Sequence, residues 1–168
     1  KIKLDGFIIL KDLFSKEEVE KVKKSLLSTL NYIDNENDTD LQKKYYKIKS
    51  LYPKLKSHWY EITPHNITLT ELLHKKIITD IVKHYFQSEV IFSGRACIHV
   101  HDVDNETLLA PHQETKQFSR DTLLLWSPLF DTSPEKGTGG LAIYKDSHKN
   151  GYYEHSLDPP KGRKVWTK

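Results

Sequence analysis

The chain has 168 residues, 37% hydrophobic and 29% charged, with a formal net charge of +3, which suits one domain with its own core. Its lysines are dispersed among acids rather than gathered in a basic stripe, which argues against a nucleic-acid-binding protein. No apolar run approaches membrane-spanning length, and Cys97 alone cannot form an intramolecular disulfide, so we expect a cytoplasmic protein without a membrane partner.

The first half of the chain predicts helices. Ser15 and Glu18 have the spacing of a capping box. Behind them apolar residues recur at helical spacing: Val19, Val22, Leu26, Leu30 and Ile33. This amphipathic helix is expected to end near residues 31–34, before a polar, turn-rich loop over residues 34–40.

A weaker helical pattern follows over residues 41–60, with Pro53 as a break. Thr68 and Glu71 have the spacing of a second capping box, and the pattern behind them predicts one helix as far as about Phe86. Its apolar face comprises Leu69, Leu72, Leu73, Ile77, Ile81 and Tyr85.

The second half of the chain predicts strands from Glu89 onward. The expected strands cover residues 90–92, 95–103, 122–128 and 141–144, and glycine or proline turns separate them. Helices packed outside a β-barrel or sandwich fit this order. We therefore expect a single domain over residues 1–168, helical over 1–88 and β-rich over 89–168.

One candidate metal site lies in the strand predicted over 95–103. Ala96, Ile98 and Val100 would point to one face, and His99 and His101 to the other. With Glu106 five residues further on, this pair is similar to part of a cupin metal motif, although the motif's glycines are not in place. The alternative is that these histidines line a cavity or the surface.

A second candidate is the triplet His112-Gln113-Glu114. Residues at i and i+2 lie on the same side of an extended segment, so the imidazole of His112 and the carboxylate of Glu114 could bind one ion. A further histidine would complete the facial triad of non-haem iron oxygenases. With nine histidines and 23 acidic residues, about one such spacing is expected by chance. The triplet therefore depends on its context.

That context is an ordered series of motifs over residues 111–151. Pro111-His112-Gln113-Glu114 is followed by Trp126-Ser127-Pro128-Leu129, then Gly139-Gly140-Leu141, then Ser147-His148-Lys149-Asn150-Gly151. The series resembles the phytanoyl-CoA dioxygenase (PhyH-like) family of Fe(II)/2-oxoglutarate-dependent oxygenases. The opening stretch, residues 4–10, and the helix after it also resemble that family.

The resemblance implies an α+β fold, a double-stranded β-helix (jelly-roll) barrel with packing helices from the N-terminal half. By position, His112 and Glu114 would be catalytic metal ligands for Fe(II), and Trp126 would lie beside the cosubstrate 2-oxoglutarate, although a plain core aromatic fits Trp126 equally well. Ser147 and His148 match a structural turn. The family usually has aspartate where this chain has Glu114. Its distal histidine ligand and its 2-oxoglutarate-binding arginine are expected beyond Lys168, which would leave the barrel incomplete at its C-terminus.

The function implied is a non-haem Fe(II)/2-oxoglutarate-dependent dioxygenase that hydroxylates a small organic substrate with dioxygen. Two alternatives stay open. One is a cupin-type metalloenzyme using His99, His101 and Glu106. The other is a catalytically inactive barrel that acts as a binding module. The substrate and the oligomeric state are not readable from these residues.

Overall fold

The structure is a computed structural model that describes residues 1–54, 59, 62–87, 96–100, 112–113 and 122–153. The chain folds as two compact units. The helical unit comprises the described residues between Asp12 and Val100. The terminal unit comprises residues 1–11 together with the described residues after His101.

The helical unit begins with helix α2 (Lys16–Asp34), which is capped as predicted. The backbone N–H of Ser15 donates to Glu18 Oε2 at 2.8 Å, and the N–H of Glu18 donates to Ser15 Oγ at 3.2 Å. These reciprocal bonds satisfy two of the donors that a helix start leaves unpaired. Asn35 ends the helix in the left-handed conformation, φ 56°. Both predicted ends of α2 are confirmed.

Helix α3 (Leu41–Leu51) follows the loop and is capped by Asp40, whose side chain accepts from the N–H groups of Gln42 and Lys43. It ends two residues before Pro53, a residue that disfavours helix in its predecessor. Helix α3 packs against α2. The buried apolar residues of this unit form its core: Val22, Leu26, Leu30, Tyr45, Ile48, Trp59, Leu69 and Ile78.

The prediction of one helix over residues 68–86 is wrong in one respect, because the structure has two helices there. They are α4 (Ile67–Leu73) and α5 (Lys76–Phe86). The cap of α4 is Asn66, whose side chain accepts from the N–H of Leu69, instead of the predicted Thr68. The backbone of Lys75 leaves the helical region (φ −56°, ψ 134°).

This break changes which face of the second helix is buried. Ile78 becomes a buried position, whereas Ile77, on the predicted apolar face, is 49% exposed. A continuous helical period cannot be carried across a non-helical residue. In the part of the chain that the structure describes, every helix lacks the length or the apolar character needed to cross a membrane.

The terminal unit contains a one-turn helix, α1 (Ile2–Asp5), closed by Gly6 in the left-handed conformation at φ 86°. Two 3-10 turns follow in its second part, at Pro134–Lys136 and Ser147–Asn150. Residues 122–128, before the first of these turns, and residues 138–144, between the two turns, are irregular.

The expected jelly-roll barrel is wrong for the described residues, none of which forms a strand or a sheet. Of the predicted strands, 122–128, 141–144 and the described part of 95–103 are irregular, and 90–92 lies outside the described residues. Backbone hydrogen bonds near these segments close turns, as from the N–H of Thr138 to Ser133 O at 3.1 Å. Apolar content indicates what a strand could bury, but a strand also needs a partner backbone.

Candidate functional site around His112 and Gln113

His112, the first predicted iron ligand, is half-buried, and so is its neighbour Gln113. The Gln113 side chain makes two hydrogen bonds to one short stretch of backbone. Its Nε2 donates to the carbonyl of Gly151 at 2.9 Å. Its Oε1 accepts from the N–H of Tyr153, also at 2.9 Å. Both ends of the carboxamide are therefore used, which fixes the plane of the group as well as its position.

Gly151 presents that carbonyl in a backbone conformation (φ 76°, ψ −154°) that is essentially restricted to glycine. A Cβ added to Gly151 would meet open space within 4 Å. The need for glycine here is thus conformational and does not come from crowding. Residues 151–153, with Gln113 bound to them, are called the Gln113 clamp below.

The turn immediately before the clamp holds the N-terminal segment. The N–H of Asp146 donates to Asp5 O at 3.2 Å, and His148 Nε2 donates to Lys3 O at 3.0 Å. The ring of His148 lies so close to Gly6 that a Cβ there would be 2.6 Å from Nδ1. A structural role is expected for both Ser147 and His148. His148 makes such contacts, with the backbone of Lys3 and with Gly6, whereas the role of Ser147 stays a prediction.

The ion pair inside that turn joins Lys149 to Asp146. Lys149 Nζ lies 2.6 Å from Asp146 Oδ1. This hydrogen bond, opposed by burial and helped by the positive charge of Lys149, holds the pKa of Asp146 below its usual range.

Only some of the other predicted site residues lie within the part of the chain that the structure describes. Trp126 is 40% exposed on an irregular segment, and both of its predicted roles stay predictions. Glu114 lies outside the described residues. In the rival cupin-type set, His99 is exposed, and His101 and Glu106 lie outside the described residues. The structure therefore brings Gln113, which lies between the two predicted ligands in the sequence, to the backbone that begins at Gly151, the last residue of the motif series.

A carboxylate cluster that the sequence did not predict lies in the loop after α2. Among the described residues, Asp34, Glu36 and Asp38 offer oxygens within 4.8 Å of one another, a grouping that could hold a metal ion. The signal in the sequence is three acids at alternate positions, a pattern that is equally typical of a plain polar loop.

A lysine of α3 already lies among these carboxylates. Lys44 is fully buried, and its Nζ donates to Asp34 Oδ1 at 2.5 Å, Asp38 Oδ2 at 2.9 Å and the carbonyl of Glu36 at 3.1 Å. Lys47, which lies on α3 like Lys44, forms an ion pair with Glu36. All three donors of the Lys44 ammonium are used, so the cluster is a structural ion-pair network.

The pKa values in this network follow from its geometry. The hydrogen bond from Lys44 lowers the pKa of Asp34, against the opposing effect of burial. For Lys44, burial is the largest single influence and opposes the charge. The hydrogen bonds and charges of Asp34 and Asp38 together outweigh burial and raise the pKa of Lys44.

The sequence model of the phytanoyl-CoA dioxygenase (PhyH) family matches residues 2–165. The chain belongs to the phytanoyl-CoA dioxygenase family. No curated protein and no solved structure gives a significant match. The resemblance inferred from the motifs over 111–151 is therefore confirmed, and the match extends over the helical half as well.

Phytanoyl-CoA dioxygenase family membership gives the class of chemistry. The family is one of oxygenases, which generally use Fe(II) and 2-oxoglutarate. An imidazole and a carboxylate from one short segment are donors that Fe(II) accepts. In this structure His112 is half-buried beside a Gln113 held at both ends of its carboxamide, which suits a ligand that must keep one orientation. The imidazole of His112, the described member of the predicted pair, thus has chemistry that fits the group.

Proposed function

We propose that the protein is a non-haem Fe(II)/2-oxoglutarate-dependent dioxygenase that hydroxylates a small organic substrate. The observation that carries this proposal is the phytanoyl-CoA dioxygenase family match over residues 2–165. It is supported by the position of His112 next to an anchored Gln113.

Three residues would form the proposed iron and 2-oxoglutarate site. His112 and Glu114 supply one imidazole and one carboxylate to the iron, and Trp126 borders the 2-oxoglutarate. When bound, iron with 2-oxoglutarate and dioxygen supplies the oxidation, in which 2-oxoglutarate is converted to succinate and carbon dioxide and one oxygen atom goes to the substrate. In this proposal the protein's own part is to hold the ligands in one geometry.

The first experiment measures iron and 2-oxoglutarate binding by the full-length gene product without oxygen. Fe(II) is titrated in the presence of 2-oxoglutarate, and the weak visible absorption band of the chelate is followed. We expect a saturable band that His112→Ala and Glu114→Ala abolish. The matched controls are His84→Ala on α5 and Glu17→Ala on α2, both exposed residues of the helical unit, which keep the band.

The second experiment admits oxygen and measures succinate formation. We expect iron-dependent succinate formation that disappears in His112→Ala and survives in His84→Ala. Loss of iron binding in His99→Ala, with His112→Ala unaffected, would instead support the cupin-type alternative. A protein that folds but shows neither the band nor succinate formation would contradict the proposal and support a non-catalytic binding module.

A further inference from the structure

We propose that Gln113 is a positioning residue, which sets the orientation of His112 by binding the backbone of Gly151 and Tyr153. This inference rests on the proposed function, since it assigns to Gln113 a role toward the iron that His112 would bind. It concerns a residue that would touch neither iron nor substrate.

The geometry of the clamp supports this role. Two hydrogen bonds of 2.9 Å run from one carboxamide to residues 151 and 153 of a single backbone stretch. A group held by one bond can swing about it, whereas bonds at both Nε2 and Oε1 hold the carboxamide at two points and restrict that motion. Because His112 and Gln113 share a peptide bond, fixing the side chain of Gln113 restrains the backbone from which the imidazole leaves.

The clamp is itself anchored inside the terminal unit. Gly151 directly follows the turn that binds the backbone of Lys3 through His148 and that of Asp5 through Asp146. The partner of Gln113 is thus a backbone stretch whose preceding turn is held by further hydrogen bonds. Removing a group that holds a metal ligand in its orientation typically lowers the affinity for the metal.

The test compares Gln113→Ala with the parent full-length protein in the anaerobic Fe(II) titration with 2-oxoglutarate. We expect the Fe(II) dissociation constant to rise about 10- to 100-fold, the range for residues that orient metal ligands. The visible band should also shift or broaden, because the imidazole is no longer held in one orientation. Gln42→Ala is the matched control, since it removes the same side chain from an exposed position on α3.

Gly151→Ala provides an independent second variant. It leaves Gln113 intact and adds a methyl group in open space, but it disfavours the backbone conformation that presents the carbonyl. The same loss of Fe(II) affinity is expected, together with faster hydrogen exchange at the N–H of Tyr153 in both variants. Circular dichroism establishes that each variant is folded before binding is measured.

Two results would overturn the inference, and they can be told apart. If the parent binds Fe(II), His112→Ala abolishes binding, and the clamp variants bind normally, the positioning role is wrong while the proposed function holds. If the parent itself binds no Fe(II), the proposed function fails and the positioning role falls with it. In that case the exchange rate at Tyr153 still reports whether the clamp exists.

Discussion

The ammonium of Lys44 lies 2.5 Å from a carboxylate oxygen of Asp34, with the lysine side chain fully buried and the aspartate side chain 8% exposed. Asp38 and the carbonyl of Glu36 complete the bonding of this ammonium. The relationship joins the end of α2 to α3 across the intervening loop. A buried charge in such a place is stable only while its partners remain.

We therefore expect Lys44→Ala to lower the melting temperature by several degrees, because it leaves the carboxylates of Asp34 and Asp38 without their buried cation. The measurement is thermal unfolding followed by circular dichroism at neutral pH. Lys47→Ala is the control, since Lys47 belongs to the same network but is 41% exposed, and its loss should cost much less. Equal melting temperatures for the two variants would contradict the structural role of Lys44.

The lowered pKa values predict loss of stability in acid. Asp34 and Asp146 have pKa values below the ordinary 3.8, and Glu18 below the ordinary 4.5. For Glu18 the first cause is the hydrogen bond from Lys75, followed by that from the N–H of Ser15. The unfolded chain then binds more protons than the folded chain near pH 4.

Stability from these groups is fully present above their ordinary pKa and is lost as the pH falls through the lowered values. We expect the melting temperature to decrease on titration from about pH 6 to about pH 2, with a shallower slope in Asp34→Asn. An unchanged slope in that variant would show that Asp34 does not contribute. Lys44, whose pKa is raised, contributes at the alkaline end of the pH range. Its contribution to stability is fully present below the ordinary pKa of 10.5 and is lost only as the pH rises through the raised value.

The core of the helical unit predicts a large effect of truncation. Leu26 on α2 is 2% exposed, so Leu26→Ala removes buried methyl groups and leaves a cavity. We expect the free energy of unfolding to fall by about 2–5 kcal/mol, measured by urea denaturation. The same change at Leu51, which ends α3 and is 58% exposed, should stay within about 0.5 kcal/mol. A small effect at Leu26 would place the core elsewhere.

Gly6 combines two constraints that can be separated by mutation. Its φ of 86° disfavours any side chain, and a Cβ there would lie 2.6 Å from the ring of His148. Gly139 has a similar φ of 84° but open space around it. We expect Gly139→Ala to cost about 1–2 kcal/mol from the backbone alone, and Gly6→Ala to cost more. His148→Ala should recover part of the Gly6→Ala loss, which a double-mutant cycle of melting temperatures measures.

Two substitutions of Glu114 test its proposed role as an iron ligand, one that keeps the carboxylate and one that removes its charge. Glu114→Asp restores the residue that the family usually has and keeps the carboxylate, so we expect Fe(II) binding at least as tight as in the parent. Glu114→Gln removes the negative charge while nearly keeping the shape, and should weaken Fe(II) binding strongly. The anaerobic titration described above measures both. Equal binding by the Gln variant would remove Glu114 from the ligand set.

The sequence by itself determined the local features. The capping box of Ser15 and Glu18 and the apolar period of α2 depend on residues within a few positions of one another, so they are readable without a fold. The ordered motifs over 111–151 likewise sufficed to find the family, which the match over 2–165 confirms.

Only the tertiary structure decided which backbone groups meet over long distances. The break at Lys75 moved the buried face from Ile77 to Ile78, and the expected strands lack a partner backbone within the described residues. The Lys44 network and the Gln113 clamp were equally invisible in the sequence. Each joins groups that are neighbours only in the folded chain, and a hydrogen bond depends on distance and direction in space rather than on spacing along the sequence.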